Sequence, residues 1–170
     1  TTGVLAMVAA LDAEGAPAVE PLRLVQVNSR FETGIRSPLD TAILSTAGAT
    51  QIEGFAKVDE IPFDFQRRRL SVVADAADGR RLLITKGAPE AVLHQVTHVL
   101  GTDGTTRKFT DADLHHADTL VNGWGDDGLR VLAVAVREVE EKPAYTRDDE
   151  TGLTLVGYLQ FADPVLPDAQ

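Results

Sequence analysis

Cysteine is absent from the 170 residues, which excludes a disulfide framework, a thiolate metal site and a thiol nucleophile, and suits a reducing cytosol. Long hydrophobic runs are also missing. The strongest, Val4 to Leu11 and Val131 to Val136, fall far short of the ~20 residues that a membrane-spanning helix needs, so the chain is not expected to cross or contact a membrane. Basic residues are outnumbered, 16 against 26 acidic, and the resulting charge of −10 repels nucleic-acid phosphates, which excludes nucleic acid as an expected partner. No HExxH pattern and no nucleophile elbow appears, so neither a metal site nor a catalytic residue is assigned to the chain by itself. Thr1 stands where Met would, with no leader pattern behind it, and reads as a cut or processed end. What is present, 44% hydrophobic residues over this length, is enough to bury one core: residues 1–170 read as a single domain.

The order of elements points to α+β with a largely antiparallel sheet flanked by helices. Val4 to Leu11 reads as helix or strand, followed by a loop with Gly15, Pro17 and Pro21, and Leu22 to Val27 as a short helix. Asn28 to Pro38 reads as loop, and Leu39 to Ala47 as a helix with Asp40 in its first turn, where a carboxylate favours the dipole. Strands are expected over Gly54 to Ile61, Phe63 to Asp75 and Arg80 to Thr85, with Asp78-Gly79 as the turn of a hairpin. Pro89 and Glu90 open a helix expected to run to about Leu100, with Val92, Leu93, Val96, Val99 and Leu100 as its buried stripe. A polar connection over Gly101 to Lys108 leads to a helix over Asp111 to Trp124, then to strands over Leu129 to Val136 and Leu153 to Phe161.

Three patterns invite a chemical reading. Gly123-x-Gly125-x-x-Gly128 matches a dinucleotide fingerprint by letter, but it lies between helix and strand rather than strand and helix, which makes it a turn. His94 and His98, four apart on the expected helix, lack a third ligand and read as surface histidines, while the neighbours His115 and His116 diverge. Arg67-Arg68-Arg69 lies in a strand-like stretch, so its side chains should alternate between faces, either meeting an anion or guarding a sheet edge.

Asp59 to Val73, then Lys86-Gly87-Ala88-Pro89-Glu90, then Gly128-Leu129-Arg130-Val131-Leu132-Ala133 resemble P-type cation-transporting ATPases in order and spacing. Asn28-Ser29, Leu39 to Leu44 and Gly157 to Pro164 extend the likeness over nearly the whole chain. The family's phosphorylated-aspartate segment, its hinge segment and its membrane helices are absent, so only the nucleotide-binding domain is matched. The resemblance implies that ATP, used with Mg²⁺ in the intact enzyme, stacks its base on Phe65, that Lys86 and Gly87 line the pocket, and that Asp40 stands where a Glu bonds the adenine amino group. It also implies that Arg130 faces phosphate, with Arg67 a further candidate whose register is open because the loop before Ser71 is shorter than in calcium pumps. An aromatic face suits a planar base and a guanidinium suits a polyphosphate. Taken singly, Phe65 fits a core residue, Lys86 a surface charge and Arg130 a strand-end ion pair.

Ile61 to Phe65 and Arg67 to Val73 are most similar to bacterial magnesium-importing pumps, although Asp163-Pro164-Val165-Leu166-Pro167 departs from the usual Asp-Pro-Pro-Lys or Arg. By this resemblance the chain is a cytoplasmic domain of a multi-pass cell-membrane protein, with that protein's phosphorylation and actuator domains as partners. The alternatives are the same domain of a calcium or other cation pump, and a regulatory module that kept the fold and lost the nucleotide.

Overall fold

The computed structural model describes residues 5–34, 37–46 and 53–163. Val4, Ala47 and the Pro164-Val165-Leu166-Pro167 part of the closing segment lie outside them. Eight strands, β1 (Ala6–Asp12), β2 (Ala56–Ile61), β3 (Arg69–Asp75), β4 (Arg81–Gly87), β5 (Val96–Leu100), β6 (Thr106–Lys108), β7 (Leu129–Glu138) and β8 (Leu153–Ala162), form one sheet in the order β2-β3-β4-β7-β8-β5-β6. The eighth, β1, pairs with the second half of β8. Every pairing is antiparallel except β5 with β8. The expected α+β class with a largely antiparallel sheet is therefore the observed one.

Among the described residues, four α-helices cover the two faces: α1 (Glu20–Phe31), α2 (Pro38–Ser45), α3 (Pro89–Leu93) and α4 (Asp111–Asp126). Strand alternation feeds both layers. Val72, Leu82, Ile84 and Val134 join Leu24, Val25, Val27 and Ile43 under α1 and α2, while Val73, Leu83, Ala133 and Ala135 join Val92, Leu93 and Ala117 under α3 and α4.

In β8 the alternation reverses. Leu153 and Leu155 face the second layer, but beyond Gly157 it is Leu159 and Phe161 that face the first. The pairing with β7 skips Val156 at this point, so an extra residue re-aims the strand, as a β-bulge does. Glycine is required here because a Cβ would stand 2.0 Å from the Leu11 carbonyl oxygen and 2.7 Å from Pro21.

Four expectations are corrected. Pro21 does not end a loop. It occupies the first turn of α1, where its missing N–H costs nothing, and the helix continues through Asn28 and Ser29 to Phe31. Asn28 is buried there, its amide donating to the carbonyls of Leu70 and Ile84. The helix opened by Pro89 stops at Leu93 rather than Leu100, and Val96–Leu100 becomes β5, because its β-branched residues fill the place beside the first half of β8. His94 therefore ends a helix and His98 sits on a strand, which removes their helical spacing. Finally, β3 begins only at Arg69 and lies between β2 and β4, so the arginine run neither alternates along a strand nor guards an edge. Arg68 instead adopts φ 52°, inside a turn.

Of the glycine run, expected as a turn, only Gly128 lies in the turn between helix and strand, with φ 84°. Gly123 and Gly125 fall in the last turns of α4, and their carbonyls accept from Asp127 and Gly128 as the helix closes into β7. Replacing Gly157 with Ala forces Leu11 and Pro21 apart and is expected to cost about 2–3 kcal/mol. Urea unfolding measures it, and an unchanged midpoint with an unchanged slope would contradict the close approach.

Candidate functional site

Lys86 lies near the end of β4, in the middle of the sheet, and its ammonium is buried between α1 and α2. It donates to Glu32 Oε1 at 2.7 Å, to Ser29 Oγ at 2.8 Å and to Asp40 Oδ1. The side chains of Lys86, Glu32 and Asp40 are 8%, 6% and 6% exposed. Asp40 is held from both sides: Ser29 Oγ donates to Oδ1 at 3.0 Å, while Ser37 N and Oγ donate to Oδ2 at 3.1 and 3.0 Å. Ser37 and Asp40 form the capping box that starts α2, which confirms Asp40 in a first helical turn.

Two carboxylates facing one ammonium cannot both be cheaply ionised away from water. Burial, reinforced by the hydrogen bond to Asp40, pushes Glu32 up to about 7 against the pull of Lys86. Burial also opposes ionisation of Asp40, but the hydrogen bond from Glu32 and the charge of Lys86 outweigh it and hold Asp40 below the usual carboxylate range. Around neutrality the cluster is thus a Lys86–Asp40 ion pair with Glu32 sharing a proton.

Above this cluster opens a cavity of about 500 Å³. Glu32, Asp40 and Lys86 form its charged floor, Leu39, Leu70, Val131 and Leu132 its apolar walls, and Phe63, Arg68 and Arg130 its rim. Gly87 lies beside Lys86, and a Cβ there would meet the Arg68 carbonyl oxygen at 2.5 Å and Arg69 Cα at 2.8 Å, so glycine lets the turn before β3 pack on the end of β4. A second recess of about 520 Å³ at the turn between β3 and β4 has both its arginines already paired, Arg81 with Asp75 and Arg80 with Asp78, and its remaining charges, Glu138 and Glu141, are acidic.

Of the residues picked from the sequence, Asp40, Lys86, Gly87 and Arg130 meet at this cavity. Phe65 and Arg67 are not among its lining residues. Phe65 is 89% exposed and packs edge-on against Phe63, ring centres 5.6 Å apart, so Phe63 is the ring that faces the cavity. The Arg67 guanidinium is committed to Glu150 and Asp64, and its neighbour Arg68 stands at the rim instead. Arg68 holds a left-handed φ of 52° just before β3, a local conformation that strand alternation could not reveal. Glu32 was missed because its segment read as loop and polar residues in a loop carry no spacing signal.

The family model described as P-type ATPase, cytoplasmic domain N, matches residues 25–168. The chain belongs to the P-type ATPase N-domain family. The N domain is 37% identical over 158 residues to "Magnesium-transporting ATPase, P-type 1" of Salmonella typhimurium, covering 90% of this chain and 17% of that relative. It is 35% identical over 161 residues to the protein of the same name from Escherichia coli, covering 90% and 18%. A "Calcium-transporting ATPase" of Bacillus subtilis is 27% identical over 144 residues, covering 78% and 16%. The N domain therefore spans less than a fifth of the length of these relatives. None of its described helices is long and apolar enough to cross a membrane.

Glu32 gives the domain a signed pH dependence. Its carboxyl is raised from 4.5 to about 7, so the folded state holds a proton that the unfolded state releases, and the stability this contributes, full below pH 4.5, is lost as pH rises through about 7. Asp40 contributes in the opposite sense, only as pH falls below 3.8, outside this window. The stability of wild type relative to Glu32→Gln should fall by about 1–2 kcal/mol between pH 5 and pH 8. Paired denaturant titrations across that range check it, and parallel pH profiles would refute it. Lys86→Met should cost about 3 kcal/mol at pH 7, because it leaves Asp40 charged and buried without its partner.

Proposed function

We propose that this domain binds ATP in the cavity above Lys86 and presents the γ-phosphate to an aspartate of a neighbouring phosphorylation domain in a cation-transporting, most plainly a magnesium-transporting, P-type ATPase. The observation that carries the reading is the convergence, in a chain of this family, of one aromatic ring, one buried lysine and two exposed arginines on a single cavity of about 500 Å³. That volume lies within the range of small-molecule sites.

In this reading Phe63 stacks on the base, the floor of Lys86, Asp40 and Glu32 meets its polar edge, and Arg68 and Arg130 reach the phosphates. Both arginines carry exposed acidic partners, Glu90 at 2.5 Å from Arg68 and Asp163 at 3.6 Å from Arg130. Exposed pairs of this kind are worth about 0–1 kcal/mol, so a polyphosphate can displace the carboxylates. The domain's contribution is positioning, with phosphoryl transfer and its Mg²⁺ assigned to the neighbouring phosphorylation domain and the actuator domain completing the cycle. The domain would then work on the cytoplasmic side of a membrane-embedded pump. Affinity for ATP by the domain alone is expected near millimolar, about 4 kcal/mol.

An amide-shift NMR titration with ATP, with and without Mg²⁺, tests this. Saturable shifts near Asp40, Phe63, Lys86 and Arg130 are expected. Phe63→Ala should weaken binding about tenfold, in line with a lost base stack of about 1–3 kcal/mol, and Phe65→Ala should change it less than threefold. A folded wild type without saturable shifts into the millimolar range would remove the binding role in favour of a regulatory module, and steady ATP turnover by this chain alone would contradict the division of labour.

A further inference from the structure

Glu150 is fully buried, yet it directly follows a short turn at residues 147–149, about eighty positions along the chain from the groups it holds. Arg67 Nε donates to its Oε1 at 2.6 Å and Arg67 Nη2 to Oε2 at 3.3 Å, Arg69 Nε donates to Oε1 at 3.1 Å, and Ser71 Oγ donates to Oε2. The same Arg67 guanidinium donates to the carbonyl of Pro62 at 2.9 Å and to that of Arg69 at 2.9 Å, and pairs with Asp64. One side chain therefore ties the entry of the 62–69 loop to its exit, and Glu150 anchors that tie to the body of the domain. The two residues that the loop delivers to the cavity, Phe63 and Arg68, lie between the tied points and make none of these contacts.

We infer that Arg67 and Glu150 form a staple that positions Phe63 and Arg68 for the nucleotide, making Glu150 a positioning residue of the site although it does not line it. The inference rests on the nucleotide reading above. Two features fit a positioning role better than a contribution to stability alone. Arg68 holds a left-handed φ of 52°, which a non-glycine residue keeps only when its surroundings impose it. The turn is also pinned on its far side, where Ala88 N donates to the Arg68 carbonyl at 3.1 Å over the bare Cα of Gly87. Charge balances within the staple, with Arg67 and Arg69 against Glu150 and Asp64, so a buried carboxylate is tolerated without a ligand.

The test compares wild type, Glu150→Gln and Arg67→Lys in this chain, at a temperature where each is folded, by ATP and adenosine titration and by amide hydrogen exchange. Arg67→Lys keeps the charge and loses the planar fork that reaches two carbonyls and a carboxylate together. Both variants should bind ATP and adenosine about tenfold more weakly, the size of loss seen when a group that orients ligand contacts is removed. Exchange at Arg67, Arg68 and Ala88 should quicken at least about tenfold while Val73 and Leu83, central in β3 and β4, stay protected, because only local opening is enhanced. Wild-type affinity in the folded variants, or exchange rising evenly through the strands, would overturn the inference and leave Glu150 a structural ion. If wild type binds neither ligand, the proposed function falls by itself, and the exchange pattern alone decides whether the staple holds the loop.

Discussion

The Lys86 ammonium is the charge around which this domain is arranged. A lysine near the end of a central strand, largely shielded from bulk water, is tolerated only if oxygen atoms surround it, and those oxygens come from the end of α1 and the start of α2. The need to satisfy one cation thus fixes where two helices sit on the sheet. It accounts for why α1 runs on through Ser29 and why Asp40 serves at once as a helix cap and as a counter-ion. With two acids and one base, the cluster keeps a proton to spare, which gives the cavity floor both donors and acceptors near neutral pH.

A second ion network, around Glu150, stands on the other side of β3 and β4 and does a different task. The first is assembled by helices against a strand and shapes the floor. The second joins the loop before β3 and the start of β3 to a distant carboxylate and shapes the rim. They meet at the Lys86-Gly87 step, where the lysine supplies the buried charge and the absent side chain of the glycine admits the turn carrying Arg68.

Much of the fold was legible in the sequence because strands with strict alternation and a strong turn declare themselves. The β3–β4 hairpin around Asp78-Gly79 and the strands β7 and β8 appear close to where they were expected. Misreadings gathered where tertiary contact overrode local preference. Val96–Leu100 has a spacing compatible with a helix and becomes a strand because β8 offers an unpaired edge, and Asn28-Ser29 looks like loop chemistry but is helical because its polar groups serve the sheet and the lysine. The site divided along the same line. Lys86, Gly87, Asp40 and Arg130 sit on regular elements whose residues can be placed by counting. Phe65 and Arg67 lie in the loop between β2 and β3, where strand alternation no longer places side chains, and the residues of that loop that line the cavity are Phe63 and Arg68.

The charges of the domain divide by exposure in a way that bears on how an anionic ligand is admitted to a molecule of net charge −10. Buried cations, Lys86 with Arg67 and Arg69, are matched by buried or half-buried carboxylates at close range, and exchanging those partners would strand a charge in a poor solvent. Exposed cations at the rim, Arg68 and Arg130, are matched only by exposed acids, and such pairs are weak enough to be traded for a phosphate without loss. Strong ion pairs therefore hold the architecture while weak ones keep the rim exchangeable; under the proposed function, the acidic partners would set a threshold that a multiply charged phosphate chain, held at two arginines at once, meets more readily than a single weak anion.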